Sequence, residues 1–128
     1  MKHNALVILL LCLAGSSLAA QRPTLTELLS RDVAGVPGKE ITMITVEYPP
    51  GGSDPVHRHN AQVMVYVLEG SIVMQAEGKA LVTLGPGQTF YEDPADVHVV
   101  ARNASKTARA KFLVFFVKDK GAPLVVVK

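Results

Sequence analysis

Cysteine is what this chain most conspicuously lacks. Cys12 is the only one in 128 residues, so no disulfide can close within the chain. An excess of one charge is missing too: 13 basic side chains face 11 acidic ones, with no basic run and no basic–aromatic alternation. That balance argues against nucleic acid as a partner. The one long apolar run, Ala5 to Leu13 with the small residues behind it, falls short of the roughly 20 residues that cross a bilayer. Internal repeats, low-complexity segments and long helical periods are absent beyond that run. Histidine is scarce, with four residues: His3, the pair His57 and His59, and His98 on a later segment.

The first twenty residues read as a cleavable secretory signal peptide. Lys2 lies ahead of the apolar run, and Ala14-Gly15-Ser16-Ser17-Leu18-Ala19-Ala20 supplies the small residues that cleavage requires, after Ala19 or after Ala20. The expectation is a secreted or periplasmic protein with no membrane association after cleavage. Residues 21–128 then contain no cysteine and carry 12 basic against 11 acidic side chains, a net charge of +1. A disulfide framework is excluded despite the oxidising destination. About 100 residues suit one domain: an N-terminal arm over 21–39 and a single β domain over 40–128.

The arm offers Thr24 as a cap and Glu27 three residues later, which predicts a helical turn over Thr24–Leu29. After it come short segments rich in β-branched residues: Ile41–Glu47, Gln62–Leu68, Ser71–Ala76, Ala80–Leu84, Thr89–Glu92, Val97–Ala101, Ala110–Lys118 and Leu124–Val127. Gly, Pro and Asp separate them, as at Glu69-Gly70 and Gly85-Pro86-Gly87. Seven or eight strands at this spacing predict an all-β sandwich or barrel.

His57 and His59 form an H-x-H pair, and His98 lies on a later apolar strand. Side chains two apart on a strand share one face, so both rings of the pair point the same way and Arg58 points away. Neutral imidazole is the commonest protein metal ligand. The plainer reading of these residues is a metal-free cavity lined by histidine.

Gly51-Gly52-Ser53-Asp54-Pro55-Val56-His57-Arg58-His59 with Tyr66-Val67-Leu68-Glu69-Gly70, followed by Gly87-Gln88-Thr89-Phe90-Tyr91-Glu92-Asp93-Pro94-Ala95-Asp96-Val97-His98, resembles the two motifs of the cupin superfamily. The resemblance spans Ile41 to Val117 and implies a small single-domain jelly-roll β-barrel. It also implies a divalent transition metal inside, held by the H-x-H pair, a Glu and the second-motif His. Here the usual Glu falls on Val63, which cannot bind a metal. Its neighbour Gln62 is the nearby side chain with a ligating oxygen. A bulge after Asn60-Ala61 would turn it inward; otherwise it is a surface amide. The expected metal set is therefore His57, His59, Gln62 and His98. In place of the family's Gly before His98 stands Asp96, a residue tolerant of left-handed backbone. The usual Asn after His98 comes one residue late, at Asn103.

Imidazole plus an amide oxygen suits Mn, Fe, Ni, Cu or Zn without choosing among them. Without a carboxylate, such an ion would be a strong Lewis acid toward a carbonyl or carboxylate. Tyr66 and Tyr91 are candidate acids or bases, the plainer reading being strand aromatics with hydroxyls at the rim. Glu92, Asp93 and Asp96 read as a solvated turn, from which one carboxylate could orient His98. Lys111 to Lys118 is apolar on both faces, which predicts a homodimer with the tail Leu124–Val127 adding a strand across the interface. The flanking lysines read as guards against edge aggregation. Two functions fit: a metal-dependent dioxygenase, lyase or isomerase acting on a small molecule, or a non-catalytic barrel that binds a small ligand or a metal.

Overall fold

The computed structural model describes residues 22–127, and everything it describes is strand, turn or loop. The expected signal peptide, 1–20, lies outside the described residues. Ten strands follow in order: β1 Thr24–Asp32, β2 Lys39–Tyr48, β3 His57–Arg58, β4 Gln62–Glu69, β5 Ile72–Ala76, β6 Val82–Leu84, β7 Thr89–Glu92, β8 His98–Asn103, β9 Ala110–Asp119 and β10 Val126–Val127. They form two antiparallel five-stranded sheets, β1-β2-β9-β4-β7 and β10-β3-β8-β5-β6.

Strict alternation builds the interior. On β4, Val63, Val65 and Val67 are buried while Gln62, Met64 and Tyr66 are exposed; β9 buries Phe112, Val114 and Phe116 in the same way. Ladder register lines these residues up across the sheet. Ile44 on β2 faces Val114, which faces Val65; Val46 faces Phe112, which faces Val67. Each such side chain contributes about 1.5–3 kcal/mol on full burial. Ile72, Met74 and Ala101 close the core from the second sheet.

The turn of helix expected at Thr24–Leu29 is instead part of edge strand β1, paired along β2 with a register shift between Glu27 and Leu29. A capping pair nucleates a helix only if an apolar periodic run follows. Here the exposed edge of β2 supplies ladder bonds instead, and pairing overrides local propensity. The apolar outer row of β9 follows from its place. It is flanked by β2 and β4, which leaves Leu113, Phe115 and Val117 half-buried.

Lys118 is no edge guard. It is 4 % exposed, pairs with Glu40 and donates to the Ala122 carbonyl at 2.7 Å. That latch turns the tail back, and β10 pairs with β3 inside the same chain rather than across an interface.

Turn chemistry finishes the frame. Gly70 has φ +70°, and a Cβ there would stand 2.4 Å from the Arg109 carbonyl oxygen, so only glycine fits. Asp96 does not use left-handed backbone, which among described non-glycine residues occurs at Asn60 alone. Its carboxylate accepts from the Asp93 amide at 2.9 Å and from Lys79 at 2.6 Å. Asn103, 3 % exposed, donates to the carbonyls of Pro49 at 3.0 Å and Ala108 at 2.8 Å, tying the end of β2 to the end of β8.

Candidate metal centre

Three histidines meet inside the barrel, two of them on strands. His57 on β3 stands opposite His98 on β8 in the ladder, and each is buried, at 4 % and 3 % exposure. His59 follows one residue beyond β3, its ring centroid 4.7 Å from that of His57. Candidate ligand atoms of all three lie within 4.8 Å of one another.

Backbone carbonyls decide the tautomers. His57 Nδ1 donates to the Pro55 carbonyl at 2.8 Å, and His59 Nδ1 donates to the Leu124 carbonyl at 2.5 Å. A carbonyl only accepts, so both Nδ1 atoms carry the hydrogen. Each neutral ring therefore presents a bare lone pair at Nε2, and these two atoms face each other 3.1 Å apart. Two lone pairs at that distance repel unless a cation or proton lies between or beside them. Burial pushes the His59 imidazole below its ordinary value; the Leu124 carbonyl and Glu92 oppose this without reversing it. At His98, both ring nitrogens are buried with no hydrogen-bond partner. Orphaned, convergent imidazole nitrogens are the arrangement a divalent metal satisfies, so the residues present fit one.

A fourth group joins them from the cluster of Glu92, Asp93 and Asp96, expected either as a solvated turn or as the source of a carboxylate that orients His98. Glu92 ends β7, is 2 % exposed, and stands directly opposite Val63 in the β4–β7 ladder. Opposed residues share a face, so its carboxylate reaches the interior that a Glu at 63 would have reached. One oxygen lies 3.2 Å from His98 Nδ1, off the line of a hydrogen bond, and the other 4.0 Å from His59 Nε2. Burial alone would raise this carboxyl. Contact with His98 and the nearby His59 and His57 outweigh burial and hold it below the ordinary range. The signal for it was weak: Glu92 follows an exposed Tyr91 in a four-residue strand, and only the ladder register reveals its facing.

Gln62, expected as the amide ligand, is placed elsewhere. The backbone keeps strict alternation from Ala61, with Val63 fully buried, so no bulge turns Gln62 inward and it stays exposed on the outer face. Tyr66 and Tyr91 sit on that outer face as well, 47 % and 45 % exposed. The tyrosine inside is Tyr48, at 1 % exposure, whose hydroxyl donates to Asp54 at 2.5 Å. Its phenol is pushed up by burial and further by the charge and hydrogen bond of Asp54. Beside the histidines lies a cavity of about 130 Å³ whose lining includes Tyr48, Asp54, His57, His59 and Glu92.

The Cupin domain family matches residues 44–116, more than half of the chain. The chain belongs to the cupin family. Solved cupin-fold structures agree. The DMSP lyase DddQ of Ruegeria pomeroyi DSS-3 superposes with TM-score 0.68 at 24 % identity, covering 89 % of this chain and 57 % of that one. A recombinant oxalate oxidase in complex with glycolate gives TM-score 0.65 at 26 % identity, covering 89 % and 59 %. An uncharacterized double-stranded β-helix protein of Klebsiella pneumoniae subsp. pneumoniae MGH 78578 gives 0.64 at 19 % identity, covering 86 % and 89 %. This cupin thus spans less than two thirds of the length of the two enzymes. No curated protein matches it in sequence.

Proposed function

We propose that this cupin is a secreted or periplasmic protein that holds a divalent transition metal at His57, His59 and His98, with Glu92 beside them. On this reading it acts as a metal-dependent enzyme on a small organic molecule bearing carbonyl or carboxylate oxygens. The observation that carries the reading is the convergence of three imidazoles, with both His98 nitrogens buried and unpartnered and the His57 and His59 Nε2 atoms facing each other at 3.1 Å. Imidazole with carboxylate suits Mn, Fe, Ni, Cu or Zn. When bound, such an ion supplies Lewis acidity toward an oxygen ligand. Glu92 offsets part of its charge, so the site is a milder acid than an all-neutral ligand set makes.

The chain's own residues do the rest. The Pro55 and Leu124 carbonyls fix ring orientation at His57 and His59. The apolar wall around the cavity limits water. Secretion is supported by Lys2, the run Ala5–Leu13 and the small residues to Ala20. A homodimer is supported by an outer face on which exposed Met64, Tyr66 and Tyr91 surround half-buried Phe115.

Elemental analysis of purified tag-free protein tests the metal. Near-stoichiometric metal in the parent and its loss in His57→Ala support the site and justify screening dioxygenase, lyase and isomerase substrates. A parent that takes up none of Mn, Fe, Ni, Cu or Zn sinks it and leaves a ligand-binding barrel.

A further inference from the structure

The cavity beside the histidines has a second polar feature that the metal does not use. Its lining is apolar except for Tyr48, Asp54, His57, His59 and Glu92. Every side-chain hydrogen on that polar lining is already donated. Tyr48 gives its one hydrogen to Asp54 at 2.5 Å, His57 gives its Nδ1 hydrogen to the Pro55 carbonyl, and His59 gives its own to the Leu124 carbonyl. Glu92 and Asp54 are acceptors throughout. What the polar side chains turn toward a guest is therefore acceptors only.

Asp54 stands out among the carboxylates. Of the described acidic residues, Glu27, Asp54 and Glu77 have no ion-pair partner among the described residues; Glu27 and Glu77 are exposed, whereas Asp54 is half-buried against the cavity. Its position is built rather than incidental. The Asp54 amide donates to the Ala101 carbonyl at 2.9 Å, and the preceding loop is pinned by Gly51 to Ser105 at 2.8 Å and by Gly52 to Pro49 at 2.9 Å. Tyr48 packs edge-on against Phe112, ring centroids 5.2 Å apart. A half-buried carboxylate held by one phenol keeps unused lone pairs and no counter-charge.

We propose that the Tyr48–Asp54 pair is the recognition end of this cavity, accepting an ammonium or hydroxyl donor from a small molecule and excluding a second carboxylate. The inference rests on the metal reading for the guest's other end. A cavity of about 130 Å³ is close to the roughly 150 Å³ that holds a six-carbon ring, so the guest has about six heavy atoms. The class is a short ω-amino or ω-hydroxy carboxylate: its carboxylate goes to the metal and its donor to Asp54, with Tyr48 holding that carboxylate in place. Dicarboxylates of similar size are disfavoured, because Asp54 has no donor to offer them.

Calorimetric titration of the full chain, metal-loaded and metal-free, tests this with β-alanine, 3-hydroxypropionate, butyrate, malonate and butylammonium. In the metal-loaded parent, β-alanine and 3-hydroxypropionate bind at least about tenfold tighter than butyrate, the size expected of a hydrogen bond to a charged acceptor, and malonate binds weakest. Asp54→Asn removes that preference and improves malonate. Tyr48→Phe keeps the ranking and weakens β-alanine a few-fold. In the metal-free parent, butylammonium binds and Asp54→Asn weakens it by at least about tenfold.

Equal affinity for β-alanine and butyrate in a parent shown to hold metal overturns the proposal. So does an unchanged ranking in Asp54→Asn with only a lowered Tm, the outcome of a merely structural pair. A parent without metal that still selects butylammonium through Asp54 removes the metal reading and keeps this one.

Discussion

Replacing Glu92 with Gln separates the three histidines proposed to hold a metal from the carboxylate beside them. The side chain keeps its size, loses its charge, and stays 2 % exposed beside His98 and His59. A partner in such contact with ligating imidazoles is worth about 10- to 100-fold in metal affinity, or about 1.4–2.7 kcal/mol. Without metal, the variant gives up a buried anion and is expected to match the parent's stability within about 1 kcal/mol. Metal at 100 times the parent's Kd stabilises the parent by about 2.7 kcal/mol; at the same concentration the variant gains only about 0.4–1.4. For a domain of about 100 residues, each kcal/mol moves Tm by about 4–5 °C. The metal-induced rise in Tm is thus expected to fall from about 12 °C to about 2–6 °C, read by differential scanning calorimetry with and without added ion. Gln62→Ala is the control and should keep the full rise, since Gln62 faces outward. Full retention in Glu92→Gln together with loss in Gln62→Ala would refute the assignment of the carboxylate.

Three further outcomes are expected. Gly70→Ala forces a Cβ to within 2.4 Å of the Arg109 carbonyl at φ +70° and should cost about 2–4 kcal/mol by thermal or urea unfolding. A loss under 1 kcal/mol would mean that the turn can shift. Sedimentation should find the parent as a dimer and Phe115→Lys as a monomer with little change in fold; a monomeric parent dismisses the outer face as an interface. Asp96, Asp119 and Glu40 are held below their ordinary values, in each case chiefly by hydrogen bonds from Lys79, Lys39 and Lys118. A depressed carboxylate binds more protons unfolded than folded, so its contribution is complete above its ordinary value and disappears as pH falls through the lower one. Tm should therefore be insensitive to these groups above about pH 5 and decline below about pH 4, with Lys79→Ala and Lys39→Ala flattening that decline.

The imidazole tautomers make the C-terminal tail part of the site. Lys118 turns the chain at Ala122, β10 pairs with β3, and the Leu124 carbonyl then holds His59 Nδ1. Residues after β9 thereby orient a ring 65 positions earlier. Nothing local to the H-x-H segment announces that dependence.

Period-two alternation and turn residues were enough, in the sequence alone, to establish an all-β domain and most of its strands. Inward facing on a strand is a property of spacing, and spacing is written in the chain. The same logic brought His57, His59 and His98 together, because two residues apart means one face and the motif spacings match a barrel. Ladder register decided the rest. Whether the fourth interior group is the amide of Gln62 or the carboxylate of Glu92 depends on which residue stands opposite which, and Val63 opposite Glu92 is a relation between strands far apart in the chain. Thr24–Asp32 became a strand for the same reason, since β2 offered an edge that no local signal describes. Tyr48 and Asp54 met through a hydrogen bond across a glycine loop whose shape Asn103 and the carbonyls of Ala101 and Ser105 impose. Local patterning determines which way a side chain points. Only the pairing of distant strands decides what it points at.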